Sequence, residues 1–233
     1  MSTQGHQLPA SSLAAVTTTT HATTTTAHQD ASGRQPSSAA SSAAQLAGAK
    51  IELRSSLRQF PDFPIPGIDF YDIMPLFSDP KAHATLISAL ELQIAEAFPG
   101  ARPDVIVGLD ARGFLFGPTL ALRLGVSFAP VRKKGKLPGP CVTAEYIKEY
   151  GKDLFQMQAD AIKEGQKVLV VDDIIATGGS AKAAIELVKQ LKGEVIGHLF
   201  ILEIPGLNGR DKLEGAPTSI LIDTSAPPTE ASQ

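Results

Sequence analysis

The sequence predicts an α/β domain, with a central, mostly parallel sheet and helices on both faces. Three observations carry this expectation. Short apolar runs of strand length, DVIVGLD at 104–110, VSFAPVRK at 126–133, QKVLVVDD at 166–173 and EVIGHLFILEI at 194–204, alternate with stretches of helical period. The run ending at Val171 is continuously apolar, as strands buried on both faces are. It closes on two acids and a turn of small residues, the arrangement expected at the carboxyl end of a parallel strand where ligands bind.

With 233 residues the chain is long enough for one such domain and tails, and too short for two large domains. A formal net charge of -3, with 19% charged and 43% hydrophobic residues, is an ordinary soluble composition. It lacks the basic excess that phosphodiester backbones select, so no nucleic-acid partner is expected. Cys141 is the single cysteine, which leaves no intrachain disulfide or zinc cluster to draw and suits a reducing, cytoplasmic setting. Apolar runs such as Leu199–Leu202 fall far short of the roughly 20 residues a membrane span needs, so no membrane partner is expected.

Along the chain, residues 1–49 are mostly Ser, Thr and Ala and cannot bury enough apolar surface to offset their ordering entropy, which predicts a disordered tail. The tail is Ser-rich and nearly free of acids, as transit peptides are, but Arg34 is its only arginine and it has no apolar signal-peptide core. The folded domain is expected over 50–223, followed by a second disordered tail at 224–233. Within the domain, Ile51, Leu53 and Leu57 suggest a short amphipathic helix. The stretch FPDFPIPGIDFYD, Phe60–Asp72, holds three prolines and a glycine and reads as a shaped loop. Asp79 before Pro80 is a helix-start signature, and Leu86, Ile87, Leu90, Ile94 and Ala97 recur at helical spacing up to Pro99. Residues 113–125 and 179–191 read as further helices. The segment GKLPGP at 135–140 has no periodic apolar residues and is expected to be mobile.

The richest stretch is VLVVDDIIATGGSA, 168–181. Asp172 and Asp173 end the strand, and Ala176, Thr177, Gly178, Gly179 and Ser180 lead into a helix. Backbone N–H groups and a helix N-terminus therefore converge on one point, which predicts an anion site. Neither G-x-x-x-x-G-K-[ST] nor G-x-G-x-x-G occurs, which argues against a Walker loop or a Rossmann fingerprint. Two carboxylates beside a bound phosphate suit the hydroxyls of a sugar phosphate, with the loop on the phosphate and the acids on the diol.

This pattern resembles the binding signature of the type I phosphoribosyltransferases. Three more stretches, GLDARGFLFGP at 108–118, RKKGKLPGP at 132–140 and EYGKDLFQMQ at 149–158, are similar to the adenine-using branch of that family, as is FPDFPIPGI at 60–68. The resemblance runs from about Leu53 to Leu221. It implies the type I phosphoribosyltransferase fold with a small N-terminal hood carrying a base-recognition loop. It also implies purine salvage by transfer of a phosphoribosyl group from 5-phosphoribosyl-1-pyrophosphate to adenine, with Mg²⁺ required and a homodimer as the assembly.

Residue by residue, the resemblance implies catalytic roles for Glu149, Asp172 and Asp173. Glu149 would assist proton transfer at the base, and Asp172 would reach Mg²⁺ through water. The base would be met by Ile68, Asp69, Phe70 and Tyr71, with Phe70 stacked on the ring. The pyrophosphate would be met by Asp110, Ala111, Arg112, Arg132, Lys133 and Lys136, with a non-proline cis peptide at Asp110–Ala111, segment 135–140 as a lid, and Tyr150 ordering either that lid or the pyrophosphate site. Many relatives have serine where this chain has Ala111, and some have arginine where it has Tyr71. Two alternatives stand beside this reading: transfer to another base, and a regulator that senses phosphoribosyl pyrophosphate without turning it over. The adenine-type loop argues against the first. The tail before Lys50, neither basic nor helical in pattern, supplies no DNA-binding module for the second.

Overall fold

The computed structural model describes residues 38–63, 66, 67, 69–148 and 151–225. Its first element, α1 (Ser38–Ser55), begins inside the segment that composition assigned to the disordered tail, and that expectation is corrected for residues 38–49. Alanine-rich sequence is a good helix former. Leu46 and Leu53 are buried, and α1 packs on α3 (Pro80–Ala97), which gives it the apolar partner that composition alone does not reveal. Ile51, expected on the buried stripe, is exposed. The remainder of both tails lies outside the described residues.

Helix α3 starts as its sequence predicts, with Asp79 accepting from the Lys81 N–H at 2.9 Å and Pro80 in the first turn. Leu86, Ile87, Leu90 and Ile94 form its buried face. Ahead of it, the proline-rich stretch carries more order than a loop. Strands β1 (Arg58–Phe60) and β2 (Phe70–Asp72) pair antiparallel, Arg58 opposite Asp72, and form the hood; a short helix, α2 (Pro75–Ser78), follows.

The main sheet holds β3 (Val105–Leu109), β4 (Ser127–Lys133), β5 (Cys141–Lys148), β6 (Gly151–Gln158), β7 (Lys167–Ile175), β8 (Glu194–Glu203) and β9 (Thr218–Ile220). Their order across the sheet is β5-β6-β4-β3-β7-β8-β9. The strands from β4 to β9 in that order run parallel, while β6 is antiparallel to both β4 and β5. Leu169, Val171, Leu199 and Ile201 face α1, α3 and α4 (Gly113–Leu124). Val105, Val107, Val168 and Val170 pack with Ala183, Ala184, Leu187 and Val188 of α5 (Gly179–Gln190). The layers are those the sequence predicts: a mostly parallel sheet between helices, with a hood.

One feature departs from the expectation. Strands β5 and β6 are a hairpin that the glycine- and proline-rich approach at 135–140 obscured, although Phe155 and Met157, alternating with Gln156 and Gln158, carry a strand period. Segment 135–140 is hydrogen-bonded to that hairpin: the Gly135 N–H donates to Gln156 Oε1 at 2.9 Å and Gln158 Nε2 to the Pro138 carbonyl at 3.2 Å.

Candidate functional site

Strand β7 carries its apolar residues through the middle of the sheet and delivers Asp172 and Asp173 at its carboxyl end. Asp173 is buried and accepts a charge-assisted hydrogen bond from Arg112 Nε. Arg112 stands just before α4, and Gly113 explains how it reaches so close. A Cβ at Gly113 would lie 2.9 Å from the Val171 carbonyl, so only glycine lets α4 begin against β7. The peptide between Asp110 and Ala111 is cis, as expected, and the Asp110 N–H donates to the Val131 carbonyl at 2.9 Å.

After β7 the chain turns through Ala176 to Gly178, where φ is +74° and a side chain would overlap the Gly209 carbonyl. Helix α5 then begins, and its first N–H groups have no partner within the helix. Residues Ala176–Ala181 line a cleft of about 240 Å³ together with Asp110, Ala111, Arg112, Asp172 and Asp173. The loop, the acids and the β3–α4 turn, separate in sequence, thus form one concave surface.

Electrostatics divide the cleft. Burial, and then the neighbouring Asp173 charge, push the Asp172 carboxyl well above the ordinary carboxylate range; its Oδ1 accepts the Asp173 N–H at 3.0 Å, and Arg112 partly offsets the shift. Burial works against the Arg112 charge, yet Asp173 in contact, with Asp172 and Asp72 farther off, holds the guanidinium above its usual range. A cation placed by Asp172 would relieve the crowded negative charge. Among the described residues no group of three or more His, Cys, Asp or Glu could cage a metal. One or two carboxylates open to a water-rich ion fit Mg²⁺, which keeps several waters and takes its remaining ligands from phosphate oxygens.

A second cavity, of about 260 Å³, adjoins the first and shares Ala111, Arg112 and Asp173 with it. Phe70, Tyr71, Asp72, Ile73 and Met74 of the hood line it, with Leu115 of α4. The Phe63 ring meets the Phe70 ring edge-on, 5.2 Å between centroids.

The other residues singled out from sequence are spread more widely. Arg132 Nε donates to Asp110 Oδ2 at 3.0 Å and its guanidinium stands 6.0 Å from the Phe114 ring centre, so it braces the β3–α4 turn. Lys133 pairs with Asp153 at 3.8 Å, and the Lys136 N–H returns to the Lys133 carbonyl at 3.2 Å; neither lysine lines either cavity. Asp69 is exposed and also lines neither. Ile68, Glu149 and Tyr150 lie outside the described residues. Sequence reasoning missed Tyr146 and Phe200 on the first cavity and Asp72, Met74 and Leu115 on the second. Tyr146, stacked on Phe155 with ring centres 5.2 Å apart, could have been found from the alternation along β5 and β6. Leu115 had only a place one turn into α4 to recommend it.

The phosphoribosyl transferase domain model matches residues 78–213. An adenine phosphoribosyltransferase of Yarrowia lipolytica is 63% identical over 162 residues, which cover 70% of this chain and 89% of that protein. The Rattus norvegicus adenine phosphoribosyltransferase is 50% identical over 166 residues, covering 71% of this chain and 92% of that one. The crystal structure of the Saccharomyces cerevisiae adenine phosphoribosyltransferase, solved with an imino-altritol bisphosphate and adenine, superposes with a TM-score of 0.72 at 54% identity, covering 76% of this chain and 99% of that one.

Proposed function

The chain belongs to the phosphoribosyl transferase family, among its adenine phosphoribosyltransferases, and from that premise we propose which residues and partners carry the transfer to adenine. The observation that supports the assignment of roles is the Arg112–Asp173 pair, common to the polar cleft and the aromatic cavity.

The donor in this reading is 5-phosphoribosyl-1-pyrophosphate. Its 5-phosphate is held by the N–H groups of Ala176, Thr177, Gly178, Gly179 and Ser180, and its ribose hydroxyls donate to Asp172 and Asp173. Arg112 and the backbone of Asp110 and Ala111 stabilise the charge that grows on the departing pyrophosphate. Arg132 acts on the same group through Asp110, and Lys133 and Lys136 add positive potential at the rim. Asp172 would hold Mg²⁺ by way of water, and the ion when bound would supply charge neutralisation on the leaving group.

Adenine occupies the cavity under the hood. Phe70 stacks on its ring, Ile68, Asp69 and Tyr71 flank it through the main chain, and Glu149 takes part in its proton transfer, with Tyr150 beside the pyrophosphate. As the base nitrogen bonds to the sugar carbon, the bond from that carbon to pyrophosphate breaks, and the products are AMP and pyrophosphate.

The catalytic domain in this reading is residues 50–223, which α1 extends back to Ser38. A homodimer is supported by apolar side chains left outside the core, Leu122 at 80% exposure among them. A cytoplasmic setting rests on the single cysteine. No helix of the described residues is long and apolar enough to cross a membrane.

The test is pyrophosphate release by the purified protein with Mg²⁺ and phosphoribosyl pyrophosphate, giving adenine, hypoxanthine, guanine, uracil or orotate singly. Release with adenine alone, matched by AMP, is the expected result. Release with a different base would overturn the reading of the hood.

A further inference from the structure

Arg58 lies outside both cavities, on a strand whose three residues are all exposed. A two-stranded ribbon of this size is marginal by itself, and no burial of β1 side chains holds it down. Besides the backbone pairing of its three residues with β2, a cross-strand side-chain pair ties it. Arg58 Nε donates to Asp72 Oδ2 at 3.0 Å, and the Nη2 group of the same guanidinium meets the same oxygen. The other carboxylate oxygen, Oδ1, accepts the Met74 N–H at 2.8 Å. Both oxygens of a side chain that lines the aromatic cavity are therefore committed, one of them to a residue outside it.

We propose that Arg58 is a positioning residue for the base end of the site: it holds Asp72 in the wall of the aromatic cavity, and thereby governs affinity for the base more than affinity for the sugar-phosphate donor. The inference rests on the adenine-transfer reading of the two cavities. Arg112 is engaged by Asp173, and the Asp72 charge already contributes to the field on that guanidinium. Released from Arg58, the Asp72 carboxylate is free to turn into the cavity that the base must enter and to bring its charge there. Exposed ion pairs usually matter little, and the Arg58 side chain is 60% exposed. Its partner is not, at 17%, and pairs in which the carboxylate is shielded and fully hydrogen-bonded are the ones that fix geometry.

The experiment measures AMP formation by the full chain and by Arg58→Ala, Arg58→Lys and the double variant Arg58→Ala/Asp72→Asn, varying adenine and phosphoribosyl pyrophosphate separately, with a melting curve for each. Arg58→Ala should raise KM for adenine about tenfold and change KM for the donor by less than about twofold. Arg58→Lys should recover part of the loss, since it restores charge without the second N–H. The double variant should move KM for adenine back toward wild type, because asparagine can still accept from Met74 but brings no charge into the cavity. Equal rises in both KM values, no change in either, or a double variant as impaired as the single would overturn the proposal. A wild-type protein that forms no AMP would overturn the transfer reading itself, and this inference with it.

Discussion

Arg112 and Asp173, 61 residues apart in the chain, meet at the wall that divides the polar cleft from the aromatic cavity. The pair unites the β3–α4 turn with the end of β7. A leaving group on one side and an entering base on the other would both lie against it.

Removal of that guanidinium should therefore do more than weaken one contact. Arg112→Ala is expected to lower kcat/KM by at least about a hundredfold, the scale of losing one preorganised donor to developing negative charge. Its melting temperature should fall as well, since Asp173 would keep its burial and lose its cation. Steady-state kinetics and calorimetry on the same preparation check both halves; an enzyme with ordinary kcat/KM would remove Arg112 from the site.

Asp172 predicts a pH dependence. Burial and the Asp173 charge raise its pKa, so the carboxylate is lost at a higher pH than for an ordinary aspartate as the solution is acidified. If that carboxylate serves Mg²⁺, kcat/KM for the sugar donor should decline on the acid side, and more Mg²⁺ should move the decline to lower pH. Asp172→Ala should lose turnover, and Asp172→Asn should be slow with no such limb. Profiles at two Mg²⁺ concentrations decide it, because a limb indifferent to Mg²⁺ would separate Asp172 from the metal.

Gly178 supports a geometric prediction. With φ at +74° and the Gly209 carbonyl where a side chain would stand, Gly178→Ala should cost about 1–2 kcal/mol from backbone angle alone. The clash adds to that, and the loop must shift. KM for the sugar donor should rise much more than KM for adenine. Equal KM values in variant and wild type would mean that the loop does not hold the phosphate.

His198 predicts acid sensitivity of the fold rather than of the reaction. It is buried on β8, with neither ring nitrogen bonded to a partner among the described residues, and burial lowers its pKa to about 4. A depressed pKa means that the unfolded chain takes up the proton first. Stability contributed by the neutral ring is full above the unfolded value near 6.5 and is lost as pH falls toward 4, by about 3 kcal/mol over the window. Chemical denaturation of wild type and His198→Leu at neutral pH and near pH 4.5 checks this. The difference between the two proteins should change with pH; a constant difference would show that His198 does not titrate on unfolding.

Much of this was legible in the sequence because it is local. The apolar runs of β3, β7 and β8 and the Asp79–Pro80 start of α3 are short-range physics, and so is the acid pair followed by a glycine turn; each element carried its own period or cap. The β5–β6 hairpin was not read, since a proline- and glycine-rich approach masked a short alternation. Helix α1 was cut short at Lys50 because poor apolar content says nothing of the surface on α3 against which Leu46 is buried.

The sequence by itself determined the layered fold, the glycine turn and the two acids ahead of it, for these follow from neighbours within a few residues of one another. Tertiary structure alone decided that Arg112 would meet Asp173 and that Arg58 would hold Asp72. It also decided that Arg132 would brace the turn, while Lys133 and Lys136 stay off both cavities. A cation's type can be read from a chain, but its partner depends on where the backbone brings a carboxylate within hydrogen-bonding distance. Here that distance is set by the packing of a side-chain-free Gly113 on β7 and by the register of a three-residue ribbon.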